Sequence, residues 1–299
     1  MPCFALQNRI VASILAMLLV LAGAGADARA ELMRPFKDEL FAYPILLASA
    51  DGGRHLTVDY RIERDLRERD EVPERRVRGR FVDLAPLRAQ TDLVLKTDVA
   101  NVPHVVVGAP ETARFIVVYL YGQGGNRNQG MNDHTFGGNF NRLKNLAQRN
   151  GGIYITPEFS DFGPRGAHQV ASLLSYYSTS APEAKIYLAC GSMGGGLCWQ
   201  LAKDADVAPR LGGLLLLGSQ WDESFLASTA FKRRVPVFFG HGSDDRVFPV
   251  ATQERFFRSI LKKAPNYPVR FVRFETGSHG TPIRMVDWRG TLNWMDGVR

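Results

Sequence analysis

Residues 188–198 read LACGSMGGGLC, an apolar run that halts at one serine, Ser192, and resumes with helical spacing after it. Four glycines, Gly191, Gly194, Gly195 and Gly196, crowd that hydroxyl. Glycine loses more conformational freedom on folding than any other residue, so such a cluster marks a sharp turn or a close approach of other backbone. The stretch predicts a strand, a tight bend and a helix, with Ser192 at the bend.

The same order of strand, loop and helix recurs on both sides. RFIVVYLYG (114–122) precedes a loop rich in Gly and Asn and the helical pattern FNRLKNLAQRN; GIYITPEF precedes HQVASLLSYYSTS; KIYLACGS precedes GGGLCWQLAKDA. Further on, GGLLLLGS leads to a short helix-like segment, VPVFFGHG to ATQERFFRSILKKA, and VRFVRFETG to MVDWRGTLNWM. Short unbroken apolar runs alternating with helical patterns predict an α/β domain whose mostly parallel sheet carries helices on both faces. In sheets of this kind ligands gather outside the carboxyl ends of the strands. The region before residue 111 is less regular, with HLTVDY (55–60) and RRVRGRFVDLA (75–85) read as two early strands. No repeat or linker divides the chain. Residues 31–299 are therefore read as one domain, 31–110 supplying N-terminal strands and 111–299 the core.

Composition fits a folded body: 45% of the 299 residues are hydrophobic, enough for a large core. Residues 1–30 are set apart from it. Arg9 stands in a short polar start, an apolar run follows from Ile10 to about Ala22, and Ala28-Arg29-Ala30 offers a signal-peptidase cut before Glu31. The run is shorter than the roughly 20 residues of a spanning helix. An exported protein, periplasmic or secreted, is expected, with no membrane span after cleavage. Losing Arg9, Arg29 and Asp27 lowers the formal net charge of +7 by one. The densest charge, residues 61–80 (RIERDLRERDEVPERRVRGR), interleaves eight arginines with six acids. That pattern predicts a solvated hairpin or loop with local ion pairs, and the absence of aromatics within it removes any stacking platform for bases, so no nucleic-acid partner is expected. Export leaves Cys190 and Cys198 in an oxidising compartment. A bridge between them is conceivable but needs Cα atoms within about 7 Å and suitable side-chain directions; free thiols are expected.

The predicted strand ends carry, in chain order, Gly122-Gln123-Gly124-Gly125, Glu158, Ser192, Gln220-Trp221, His241 with Asp244 and Asp245, and His279. A serine, a carboxylate and a histidine thus come to one edge of the sheet. No H-E-x-x-H or C-x-x-C run exists, and His55, His104, His134 and His168 have no paired spacing suited to a metal, so neither metal nor cofactor is expected.

Three segments, CGSMGG, HGSDDRVFP and GSHGTP, resemble the signature segments of the α/β-hydrolase superfamily, each after a strand and in the chain order Ser, Asp, His. The resemblance covers residues 111–299 and departs from the G-x-S-x-G pattern at one position, where Cys190 stands in place of the first glycine. It implies an α/β-hydrolase fold and a serine esterase or lipase-like activity, with Ser192 as nucleophile on a sharp elbow, His279 as base and Asp245 as the acid that orients it. Asp244 is adjacent and Asp222 follows the preceding strand, but Asp245 occupies the motif's position, with Val247 and Pro249 in place beyond it. His241 is read as shaping that loop. The oxyanion donors implied are the backbone N–H groups of Met193 and Gln123, the latter in YLYGQGGN, where Tyr121 replaces the family's usual histidine. The rival reading of G-Q-G-G as a phosphate loop lacks the required lysine and hydroxyl.

The short segment 219–234 leaves no room for a large cap. Met131, Phe136, Phe159, Phe162 and Trp221 could then form an apolar acyl pocket, each equally readable as ordinary packing. The substrate expected is a small ester or lipid-like molecule. A peptidase, thioesterase or phospholipase of the same fold, or a non-catalytic binding protein on that scaffold, are the other readings.

Overall fold

The longest apolar runs of the chain lack any two-residue alternation, and they occupy the middle of a sheet buried on both sides. A computed structural model describes residues 31–97 and 100–298; the expected leader, residues 1–30, lies outside the described residues. The strands are β1 Leu46–Ala50, β2 His55–Asp59, β3 Asp70–Val72, β4 Arg76–Val77, β5 Gln90–Lys96, β6 Asn101–Val107, β7 Phe115–Leu120, β8 Ile153–Pro157, β9 Lys185–Gly191, β10 Leu211–Leu217, β11 Val237–Gly242 and β12 Val269–Glu275. Every residue of β7, β8 and β10 is buried.

Ten of these strands form one sheet in the order β1-β2-β12-β11-β10-β9-β7-β8-β6-β5, while β3 and β4 pair apart as a hairpin. From β2 through to β8 every pairing is parallel. The outer pairings, β1 with β2, β8 with β6 and β6 with β5, are antiparallel. The chain has the α/β-hydrolase fold. Its longer helices are α1 Asn139–Arg149, α2 Pro164–Ser180, α3 Gly195–Lys203, α4 Val250–Lys263 and α5 Trp288–Gly297. One layer holds α2, α3 and α4, tied by the edge-on rings of Trp199 and Phe256. The other holds α1 and α5, tied by the Trp288 indole N–H, which donates to the Asn139 carbonyl at 3.1 Å. Between β10 and β11 lie only the short turns Glu223–Ala227 and Thr229–Lys232, so no large cap covers the strand ends.

The N-terminal region departs from its sequence reading in two ways. RRVRGRFVDLA yields only the two-residue β4, followed by a tight helical turn at Gly79–Phe81. Its arginines, Arg75, Arg76, Arg78 and Arg80, are exposed, whereas Asp65, Arg69 and Asp70, earlier in the charged stretch, are buried, not solvated. Both terminal nitrogens of the buried Arg284 pair with Asp70, at 2.9 and 2.8 Å. The Arg69 guanidinium lies between the Phe41 and Phe81 rings, 4.6 and 4.7 Å from their centres, and donates twice to the Gly137 carbonyl. Burial first, and then the charge of Arg284, push its pKa down. The second departure is the set of outer strands with antiparallel partners, β1, β5 and β6, which carry no strong sequence signal; β1 is exposed at every residue.

Candidate active site

Ser192 follows the last residue of β9 with φ of 51°, in the left-handed region that non-glycine residues seldom enter. The turn Ser192–Gly194 then runs directly into α3. Two glycines make this bend possible. A Cβ on Gly194 would strike the carbonyl oxygens of Leu120 and Tyr121, and a Cβ on Gly122 would stand 2.6 Å from the Ser192 Cβ. The elbow is fastened from outside as well, since the Ser192 carbonyl accepts from the Gln220 N–H at 3.1 Å and from the Ser219 hydroxyl at 2.8 Å.

Cys190 and Cys198 are joined by a disulfide, contrary to the free thiols expected from the sequence. Their Cα atoms are 6.4 Å apart, inside the range a disulfide spans. The bend is the physical reason: it folds the start of α3 back on the end of β9, so two residues eight apart in sequence face one another, both fully buried.

The Ser192 hydroxyl lies 2.9 Å from His279 Nε2, and His279 Nδ1 lies 2.8 Å from Asp245 Oδ2. The geometry fits an unbroken relay, with the serine O–H donating to the imidazole and the imidazole N–H donating to the carboxylate. Asp245 is fixed in turn, its Oδ1 accepting from the N–H groups of Val247 at 2.8 Å and Phe248 at 3.0 Å. Burial acts to raise the Asp245 pKa, but hydrogen bonds from His241, His279 and Phe248 outweigh it and hold the carboxyl well below the usual carboxylate range. The neighbouring Asp244 is exposed and does not join this chain. Asp222 caps the turn at Glu223–Ala227, accepting from the Ser224 N–H at 2.8 Å, and pairs with Lys203.

His241 is closer to the chemistry than its loop-shaping role suggested. Its Nε2 sits 3.2 Å from Asp245 Oδ2 and 2.7 Å from the Phe248 carbonyl, so one buried N–H steadies both the carboxylate and the loop behind it. Spacing alone gave a hint, since residues four apart around a tight turn can meet.

A cavity of about 140 Å³ opens at Ser192 and His279 and includes Gly122 and Gln123. Of the five residues expected to form an acyl pocket, Phe136 alone lines it. Phe159 instead stacks on Tyr121, with ring centres 4.2 Å apart, and Phe162 packs edge-on to Phe159. Met131 is buried and its carbonyl holds the Lys144 ammonium. Trp221 packs against Phe248, which in turn faces the His279 ring. The lining that the sequence reading missed comprises Tyr119, Gln129, Leu217 and Ile283. The one signal for it was a hydroxyl, that of Tyr119, inside an otherwise apolar strand. A larger surface depression of about 410 Å³ near His168, Asp204 and Arg210 contains none of these residues.

No protein-family model and no curated protein matches the sequence. Solved structures do match in fold. The feruloyl esterase module from Clostridium thermocellum, solved with sinapinate, superposes with a TM-score of 0.57 at 14% identity, covering 76% of this chain and 95% of that one. A predicted hydrolase from Thermoplasma acidophilum gives 0.52 at 18% identity, over 70% and 98% of the two chains. An α/β serine hydrolase homologue from Coxiella burnetii gives 0.51 at 18% identity, over 68% and 95%.

Proposed function

We propose that this chain is an exported serine hydrolase that cleaves carboxylic esters through an acyl-enzyme. The observation that carries the reading is the relay from Ser192 through His279 to Asp245, at 2.9 and 2.8 Å, on an elbow whose nucleophile holds a left-handed backbone. Such a backbone is costly and persists where the surrounding structure enforces it, most often at functional sites.

In the reaction proposed, Ser192 Oγ attacks the ester carbonyl carbon while His279 Nε2 takes its proton. Asp245 keeps the proton on Nδ1 and so leaves Nε2 free to act as base. The developing oxyanion is received by the backbone N–H groups of Met193 and Gln123. Collapse expels the alcohol, which takes its proton from His279, and a water activated by the same imidazole then releases the acid. Export is supported by the disulfide, since such bonds persist in oxidising compartments, and by the leader-like residues 1–30. No helix among the described residues is long and apolar enough to cross a membrane.

A panel of p-nitrophenyl ester, thioester, p-nitroanilide and phospholipid substrates tests the reading. The carboxylic ester is expected to turn over fastest, and Ser192→Ala to abolish that turnover. Faster cleavage of the anilide or thioester would reassign the reaction within the fold.

A further inference from the structure

The site has two chambers with a fixed partition between them. The cavity at Ser192, about 140 Å³, shares Phe136 and Gly280 with a second cavity of about 360 Å³. Phe136 is held in a left-handed conformation, φ 49°, and the carbonyl of the next residue, Gly137, is gripped by Arg69 at 3.0 and 2.7 Å. Its ring is braced edge-on against Phe140. The wall is therefore built into the fold.

Resting on the ester-hydrolase reading above, the position of the carbonyl assigns the chambers. The acyl carbonyl must sit against Ser192 and the oxyanion donor at Gln123, and both line the smaller chamber, together with His279. That chamber takes the acyl group. The larger one, across Phe136 and lined by Ser278, Gly280 and Thr281 on either side of His279, is left for the alcohol.

The acyl chamber is small, and its mixed lining sets Tyr119 and Gln129 beside Phe136, Leu217 and Ile283. The Tyr119 hydroxyl lies beneath the elbow, where a Cβ on Gly191 would stand 2.8 Å from it, and donates to Gln129 Oε1 at 3.2 Å. An alkyl chain reaching that depth would desolvate a hydroxyl and a carboxamide without replacing their interactions. The alcohol chamber is lined by the hydroxyl-bearing Tyr60, Thr135, Ser278 and Thr281 and by Glu74, with Leu66 and Phe136 as its apolar part. Arg284 also lines it, but its charge is taken by Asp70. What remains is rich in hydroxyls and acceptors, chemistry that binds a hydroxylated ring and repels an anionic head group.

We propose that the substrate is an ester of a short acyl group, at most about six carbons given that about 150 Å³ holds one benzene, with a neutral polyhydroxylated alcohol. For the full-length protein, kcat/KM on p-nitrophenyl acetate is expected to exceed that on the octanoate by at least about tenfold. Ile283→Ala, which opens the chamber wall, is expected to shift the preference toward longer chains. An acetylated methyl glycoside is expected to be cleaved with about tenfold higher kcat/KM than ethyl acetate, and Glu74→Gln to lower the glycoside to p-nitrophenyl acetate ratio. Because each readout is a ratio on one preparation, partial misfolding does not mimic it. Turnover with equal or greater kcat/KM on octanoate, on ethyl acetate or on an acetylated glycerophosphate would overturn this substrate assignment while leaving the esterase reading intact. Failure of every ester together with failure of Ser192 to react with a fluorophosphonate would overturn both.

Discussion

Two residues at the site share an uncommon backbone conformation, Ser192 at φ 51° and Phe136 at φ 49°, and the molecule holds them by different means. Ser192 is held locally. The end of β9, the start of α3, the Cys190–Cys198 disulfide and the Ser219 and Gln220 donors all lie within or next to its own strand-turn-helix unit. Phe136 is held from a distance, through Arg69 in the N-terminal hairpin region and the Arg284–Asp70 pair behind it. The contrast teaches that the proposed nucleophile is secured by covalent and steric constraint, whereas the proposed substrate wall depends on a buried ionic cluster drawn from remote parts of the chain. Damage to the first should appear in kcat, and damage to the second in KM and specificity.

The largest effect expected is at the elbow. Ser192→Ala should lower kcat on an ester by up to about a million-fold with the melting temperature little changed, because loss of the nucleophile removes nearly all chemistry above that of binding and oxyanion donors. Asp245→Asn should lower kcat by about ten-thousand-fold through loss of imidazole orientation, while Asp244→Asn, exposed and outside the relay, should stay near the parent rate. An inactive Asp244→Asn beside an active Asp245→Asn would show that the wrong carboxylate has been placed in the relay.

Asp245 also gives a pH signature. Its folded-state pKa is depressed, so its contribution to stability is fully present above the ordinary carboxylate pKa of about 3.9 and is lost as pH falls through the folded value. The melting-temperature gap between the parent and Asp245→Asn should therefore hold steady from pH 8 to about pH 5 and narrow below about pH 4. A gap that widens on acidification would contradict the depressed pKa.

Smaller effects sharpen the contrast. Replacing both cysteines with alanine should cost about 2 to 3 kcal/mol of stability, read from the urea midpoint, as expected for a bridge closing a short loop. Arg69→Met should raise KM for an ester about three- to tenfold, equivalent to about 1 kcal/mol of lost positioning, with kcat changed less. An Arg69→Met variant with normal KM and lowered kcat would show that Arg69 supports the chemistry and not the wall.

The parallel middle of the sheet was legible because burial on both faces demands continuous apolar runs, and β7, β9 and β10 have them. The three site segments were legible because each stands where such a run stops. The edge strands β1 and β5 were not, since they are largely exposed and carry no comparable run; β6 is mostly buried, but Pro103 and His104 interrupt its apolar run. At residues 61–80 the expected hairpin and local ion pairs, such as Arg64–Asp65 and Arg76–Glu71, are present, but charge density misled at Asp65, Arg69 and Asp70, which are buried by partners contributed from residues 137 and 284, far along the chain. The pocket misled for a related reason: Phe159 and Phe162 stand at a strand end as aromatic wall residues should, but they pack on Tyr121 and on each other. Which aromatics face the nucleophile is settled by loop packing that spacing does not encode.

Reaction with a fluorophosphonate, followed by peptide mapping, tests most directly whether Ser192 is an activated nucleophile. The account predicts one adduct, on the peptide containing Ser192, formed readily by the parent protein and nearly absent in His279→Ala. No adduct, or an adduct on a different serine that persists in His279→Ala, would contradict it.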